Sequence, residues 1–187
     1  DREYAHILSR LRKGRKTVVG HWQDPKTLER IAVWQRVAAA WADSQDMRII
    51  RFGDQMNNVA VTDGDKVEAE IRFGFNVDYV PFSEVMTYFE KVEDKAVDEL
   101  VKVYFNEYDH APELEDKATE AYRKVWNSAK AELTLRAVLE AYGAKAFTSN
   151  FDDLGDVNVE ETGKGFDQIP GLASQRLMAD GYGFGGE

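Results

Sequence analysis

The chain has 187 residues, 24 of them Lys or Arg and 34 Asp or Glu, which leaves a net charge of −10 and a sequence pI near 4.9. With 43% hydrophobic and 31% charged residues it has the composition of a folded globular chain, not a disordered one, and its length fits one domain or one domain and part of another. The acidic balance argues against nucleic acid and against an anionic membrane as main partners, because both need clustered Lys and Arg. The absence of cysteine excludes disulfides, thiolate metal sites and cysteine nucleophiles, and suits a cytoplasmic setting.

In chain order, the basic run Arg10 to Lys16 reads as a helix end and a solvated loop, and Thr17-Val18-Val19-Gly20 as a short buried strand. Asp24-Pro25 opens a helix, with Asp as N-cap and Pro at the first helical position. Its apolar positions Leu28, Ile31, Trp34 and Ala38 predict one broad buried face as far as Asp43. Met47 to Phe52 is a second strand. Val59 to Thr62 is a third, turned at Asp63-Gly64-Asp65 into Val67 to Phe75, whose apolar residues alternate with charged ones. These two segments predict a β-hairpin. Ser83 then caps a helix to Lys91, and Asp94 caps another. A long helix is expected from Asp116 to Tyr142, with Gly143 as a left-handed C-cap. Ala144 to Thr148 is a strand, residues 152–168 a surface loop, and Leu172 to Ala179 a helix stopped by Gly181. Helices alternating with short strands predict an α/β fold: a layered αβα domain with a mostly parallel sheet of the Rossmann/flavodoxin-like kind, plus the β-hairpin excursion.

Few residues carry chemistry on their own. The longest apolar run, Val37 to Ala42, has six residues, far short of the roughly twenty that cross a membrane. The opening Asp1-Arg2-Glu3-Tyr4 is no secretory signal. The start on Asp1 and the end on Gly185-Gly186-Glu187 predict a piece of a longer protein. Gly181-Tyr182-Gly183-Phe184-Gly185-Gly186 contains G-x-G-x-x-G, but a helix precedes it where a dinucleotide fingerprint needs a strand. A tight backbone presenting Glu187 reads better, against the plain alternative of a solvated terminal loop. His6, His21 and His110 have no zinc spacing. His21 ends a predicted strand, a place where sites lie in α/β folds, while His6 and His110 read as surface residues. Asp152, Asp153, Asp156, Glu160 and Glu161 lack the order of a calcium loop.

Four ordered strings go further. They are Val18-Val19-Gly20-His21-Trp22-Gln23-Asp24; Arg51-Phe52-Gly53-Asp54-Gln55-Met56-Asn57-Asn58 running on to Gly74; Ala146-Phe147-Thr148-Ser149-Asn150-Phe151-Asp152-Asp153-Leu154; and Ile169-Pro170-Gly171-Leu172 running on to Glu187. Together they resemble the middle of bacterial L-arabinose isomerases across essentially the whole chain. The segment between Leu154 and Ile169 is longer than the family pattern.

The resemblance implies an aldose–ketose isomerase that interconverts L-arabinose and L-ribulose, and D-galactose and D-tagatose, through an enediol. It implies one manganese ion held by two glutamates and two histidines. By motif, Glu187 is the first glutamate, both metal ligand and proton carrier, and the other three ligands come from sequence beyond it. Met56 and Phe151 fall beside the sugar; without the resemblance, both read as core packing. Residues 1–47 would be the last strand and helix of an N-terminal α/β domain, and residues 48–187 the central α/β domain. The resemblance further implies a cytoplasmic homo-oligomer, a hexamer, with an aldose or ketose as its small-molecule partner, and no nucleic acid or membrane. The 187-residue chain by itself is expected to be inactive. A non-catalytic sugar-binding or interaction module of the same fold is the alternative.

Overall fold

A computed structural model describes residues 2–56, 58–150, 166 and 169–186. The chain divides into two compact units, Asp1–Gln45 and Asp46–Glu187.

The first unit holds helices α1 (Arg2–Arg10) and α2 (Pro25–Ser44). Asp24 caps α2 as its residue type predicts, accepting from the Lys26 amide at 3.2 Å and from the Thr27 hydroxyl at 3.1 Å. Gly20 packs so closely on Thr27 that a Cβ there would lie 2.0 Å from the Thr27 hydroxyl. Thr17 to Gly20 is not a strand: the segment has no ladder partner among the described residues, and Val19 is exposed. The apolar stripe of α2 is also less buried than expected, with Leu28, Trp34 and Trp41 all exposed. Two helices offer too little surface to bury such a face.

In the second unit the strands are β1 (Arg48–Phe52), β2 (Asn76–Val80), β3 (Ala146–Ser149) and β4 (Gly183–Gly186). They form one sheet of order β2-β1-β3-β4, parallel throughout. Phe52 pairs with Val80 on one side and Ser149 on the other, and Ser149 pairs in turn with Gly186, so four strand ends line up along one edge. Between them come α3 (Lys66–Phe73), α4 (Phe82–Phe89), α5 (Asp94–Glu107), α6 (Glu120–Tyr142) and α7 (Gly171–Ala179). Short 3₁₀ turns lie at Ala60–Thr62 and Pro112–Glu115. Ile50, Phe52, Val80 and Phe147 pack with Val85 of α4, Leu135 and Leu139 of α6 and Leu177 of α7 in one core. Helix α3 packs along β2. The layered α/β fold with a parallel sheet is therefore the one observed.

The expected hairpin is not. Val59 to Thr62 is a loop closing in a 3₁₀ turn, and Lys66 to Phe73 is a helix. Local chemistry overrides the alternating pattern. The Asp65 carboxylate accepts the Glu68 amide at 2.9 Å, Glu68 pairs with Arg72 one turn on, and Gly74 adopts φ 82° to close the helix. Val67 and Ile71, four apart, share a helix face and are both exposed. The strand that follows, Asn76 to Val80, is not anticipated by that pattern. Other starts shift by a few residues. Pro81 precedes α4, so Ser83 lies in its first turn, and Glu93 precedes α5, so Asp94 is its first residue. The cap of α6 is Thr119, whose hydroxyl accepts the Tyr122 amide at 3.1 Å, while Gly143 ends that helix at φ 62° as expected. The glycine-rich terminal string forms β4 against β3 instead of a loop. The predicted loop over residues 152–168 lies outside the described residues except for Phe166, which is buried in the core.

One buried ionic cluster ties the helices together. Glu132 on α6 is 1% exposed. Its carboxylate accepts from the Tyr104 hydroxyl at 2.7 Å, Arg136 at 2.9 Å and Arg176 Nε at 3.0 Å. Arg176 also pairs with Glu107, and Arg136 with Asp180. Burial and then the Glu132 carboxylate push the Tyr104 phenol well above its usual range. The cluster joins α5, α6 and α7, and α7 leads directly into β4.

Candidate functional site

In the sheet, chain order reverses between β1 and β3: from β1 the chain steps outward to β2, and from β3 outward the other way to β4. The connections leave on opposite sides there, which opens a crevice at the carboxyl ends of β1 and β3. A cavity of about 150 Å³ occupies this place, lined by Arg51, Asp54, Thr62, Thr148, Ser149 and Asn150. A second, of about 440 Å³, shares Ser149 and Asn150 with it. It continues past Phe184 and Gly186 of β4 to Ser174 and Gln175 of α7. Apolar walls with a few hydroxyl and amide groups suit a small polar ligand.

The loop after β1 forms one wall of the crevice. Arg51 pairs with the Asp54 carboxylate, donates to the Asp63 carbonyl at 3.3 Å and lies over the Tyr79 ring at 6.0 Å. The Asn150 side-chain amide donates to the Asp54 carbonyl. The Met56 amide donates to the Thr62 hydroxyl at 3.0 Å, and that hydroxyl donates to the Val59 carbonyl at 2.8 Å.

Of the three candidate residues, Met56 is half-buried in this loop, and it is Thr62, the partner of its amide, that lines the smaller cavity. Phe151 and Glu187 lie outside the described residues. Their sequence neighbours Asn150 and Gly186 both line the larger cavity. Arg51, Thr62 and Asn150 are not flagged by sequence reasoning. The one signal for Arg51 is a charge inside the apolar strand Arg48-Ile49-Ile50-Arg51-Phe52. Thr62 and Asn150 carry no local signal, because only strand order brings them together.

The other histidines and the glycine motif find different roles. His21 is exposed, stacks on Trp22, and its Nδ1 accepts the Gln23 amide at 3.2 Å. His110 is half-buried, not a free surface residue: Nδ1 lies 2.9 Å from the Tyr108 carbonyl and Nε2 2.9 Å from Glu115. The Tyr108 carbonyl and the Glu115 carboxylate raise its pKa. Residues Gly183 to Gly186 of the G-x-G-x-x-G string lie in strand β4, not in a strand-to-helix turn, so the geometry of a dinucleotide fingerprint is not formed. Among the described residues no helix is long and apolar enough to cross a membrane, and no group of three or more His, Cys, Asp or Glu side chains could hold a metal ion. The described residues thus do not by themselves make a manganese site.

A parallel sheet whose order reverses between β1 and β3 defines a doubly wound α/β domain, a class in which ligands bind at that reversal. Residues 48–187 match the model of the L-arabinose isomerase central domain, and residues 1–46 that of the N-terminal domain. The chain belongs to the L-arabinose isomerase family. It is 67% identical over 187 residues to the L-arabinose isomerases of Phocaeicola vulgatus and Bacteroides thetaiotaomicron, covering all of this chain and 36% of each relative. Identity to the L-arabinose isomerase of Geobacillus kaustophilus is 44% over 189 residues, again 36% of that relative. The chain thus spans about a third of the length of the curated relatives it matches.

Proposed function

We propose that this chain is the central part of a cytoplasmic aldose–ketose isomerase acting on L-arabinose and L-ribulose, and on D-galactose and D-tagatose. Family membership along the whole chain supports this reading most strongly. The crevice adds to it, having apolar walls that carry a few hydroxyl and amide groups, a size that admits a sugar, and the sequence neighbours of Phe151 and Glu187 along its boundary.

Moving a proton between adjacent sugar carbons needs a carboxylate that first accepts it and then returns it. Glu187 is the residue assigned that role here, and Met56 and Phe151 supply apolar contact to the sugar. Oxygen and imidazole donors suit manganese. The described residues offer no complete set; in the reading that the family resemblance supports, Glu187 would be one ligand, with a second glutamate and two histidines drawn from sequence outside residues 1–187. A homo-oligomer, a hexamer, belongs to the same reading.

The test is Glu187→Gln in the complete enzyme, which removes the proton carrier and a metal ligand while keeping side-chain size. Turnover of L-arabinose, read as ketose formed, should fall by at least about 10²–10⁴-fold, the range that acid–base catalysis supplies, with the fold unchanged by circular dichroism. Near-normal turnover would overturn the assignment of Glu187, whereas absence of ketose formation by the parent enzyme would favour the non-catalytic sugar-binding module.

A further inference from the structure

We propose that Thr62 is a positioning residue for sugar binding, holding the Met56 backbone in the loop beside the crevice through a single side-chain hydroxyl. The proposal rests on the reading of Met56 as a sugar contact.

A methionine side chain has three rotatable bonds and sets no position of its own. Its place depends on where the backbone is held. Between β1 and α3 the chain crosses the crevice without a ladder to satisfy its amides, so each polar group needs another partner. The Thr62 hydroxyl accepts the Met56 amide proton at 3.0 Å and passes its own proton to the Val59 carbonyl at 2.8 Å. The Val59 amide returns to the Met56 carbonyl at 3.1 Å, and the Thr62 amide donates to the Val59 carbonyl at 3.0 Å. Four hydrogen bonds therefore close residues 56–62 on themselves, and two of them pass through one oxygen.

This clasp is seated on the sheet, not free in solvent. Arg51 ties Asp54 before it and Asp63 after it to the end of β1, and Asn150 ties Asp54 to the end of β3. Both flanks of the loop thus hang on the strand ends that form the crevice, while the turn carrying Met56 hangs on Thr62. The Thr62 side chain also lines the smaller cavity. A group that accepts one amide and donates to one carbonyl cannot be replaced by an isosteric methyl, whereas serine retains both functions.

The experiment compares Thr62→Val, Thr62→Ser and Met56→Ala in the complete enzyme. Its first readout is amide hydrogen exchange over residues 55–62. Its second is KM against kcat for L-arabinose. Thr62→Val should quicken exchange of this segment by about tenfold, the factor given by one ordinary hydrogen bond. It should raise KM about three- to tenfold with kcat within about twofold, the pattern of weakened binding with intact chemistry. Thr62→Ser should restore both values, and Met56→Ala should raise KM by at least as much as Thr62→Val. Thr62→Ala is the second variant, should the valine methyl disturb folding, and the same results are expected of it. Unchanged exchange in the hydroxyl-free variants would overturn the clasp. Faster exchange with unchanged KM, while Met56→Ala raises KM, would overturn the positioning role alone. An unchanged KM in Met56→Ala would overturn the sugar contact itself, and the positioning role with it.

Discussion

Glu132→Ala should be among the most destabilising single changes in the second unit. The carboxylate is 1% exposed and holds three donors from three places in the chain: Tyr104, Arg136 and Arg176. Removing it leaves the buried Tyr104 hydroxyl without this acceptor and takes from Arg176, whose side chain is only 11% exposed, its buried counter-charge. Breaking a buried pair from one side costs about 3–5 kcal/mol. Arg176 keeps Glu107 and Arg136 keeps Asp180, and both of those acids are half-exposed, so the lower end of that range applies, about 3 kcal/mol. For a chain of this size that is roughly 10 °C in melting temperature. Glu132→Gln keeps one acceptor oxygen and should lose about 2 kcal/mol. Tyr104→Phe alone should lose about 1 kcal/mol, and the double variant should lose less than the sum because both changes break the same bond. Urea unfolding followed by far-ultraviolet circular dichroism measures all four. A loss below about 1 kcal/mol for Glu132→Ala would refute the reasoning, because it would mean that water or a rearranged partner satisfies the buried groups.

His110 gives a pH signature. Its folded pKa is raised, so its contribution is fully present below the unfolded value of about 6.5 and is lost as pH rises through the folded value. The melting-temperature gap between the parent chain and His110→Gln should therefore be wider at pH 5.5 than at pH 8.5, and a gap independent of pH would refute the assignment. The glycines of β4 should separate by space alone. A Cβ at Gly183 would lie 3.0 Å from the Ala146 Cβ, so Gly183→Ala should cost about 1–2 kcal/mol. Gly185 has nothing within 4 Å of its Cβ position, so Gly185→Ala should fall within about 0.5 kcal/mol of the parent in the same denaturation experiment.

What could be read from residue order alone was local. Asp24-Pro25 opening α2, Gly143 ending α6 and the apolar run of β1 act through the nearest few residues, so their chemistry appears in sequence. Residues 59–75 show the limit of pattern. An alternation that suits a half-buried strand also suits a short exposed helix, and the Asp65 cap with the Gly74 stop decided for the helix. The family resemblance, carried by four ordered strings, was likewise a property of the sequence.

Tertiary structure decided the rest. Three of the four residues Gly183-Phe184-Gly185-Gly186 are glycines, which are depleted in strands, and the segment extends because the edge of β3 offers a ladder. Glu132 is an acidic residue on a long helix until Tyr104 and Arg176, 28 and 44 positions away, enclose it. Arg51, Thr62 and Asn150 meet only because the sheet runs β2-β1-β3-β4 and its order reverses between β1 and β3. Sequence holds the bonds that close within a turn or two, whereas a crevice is made by strand ends far apart in the chain, and its position follows from the pairing of the whole sheet.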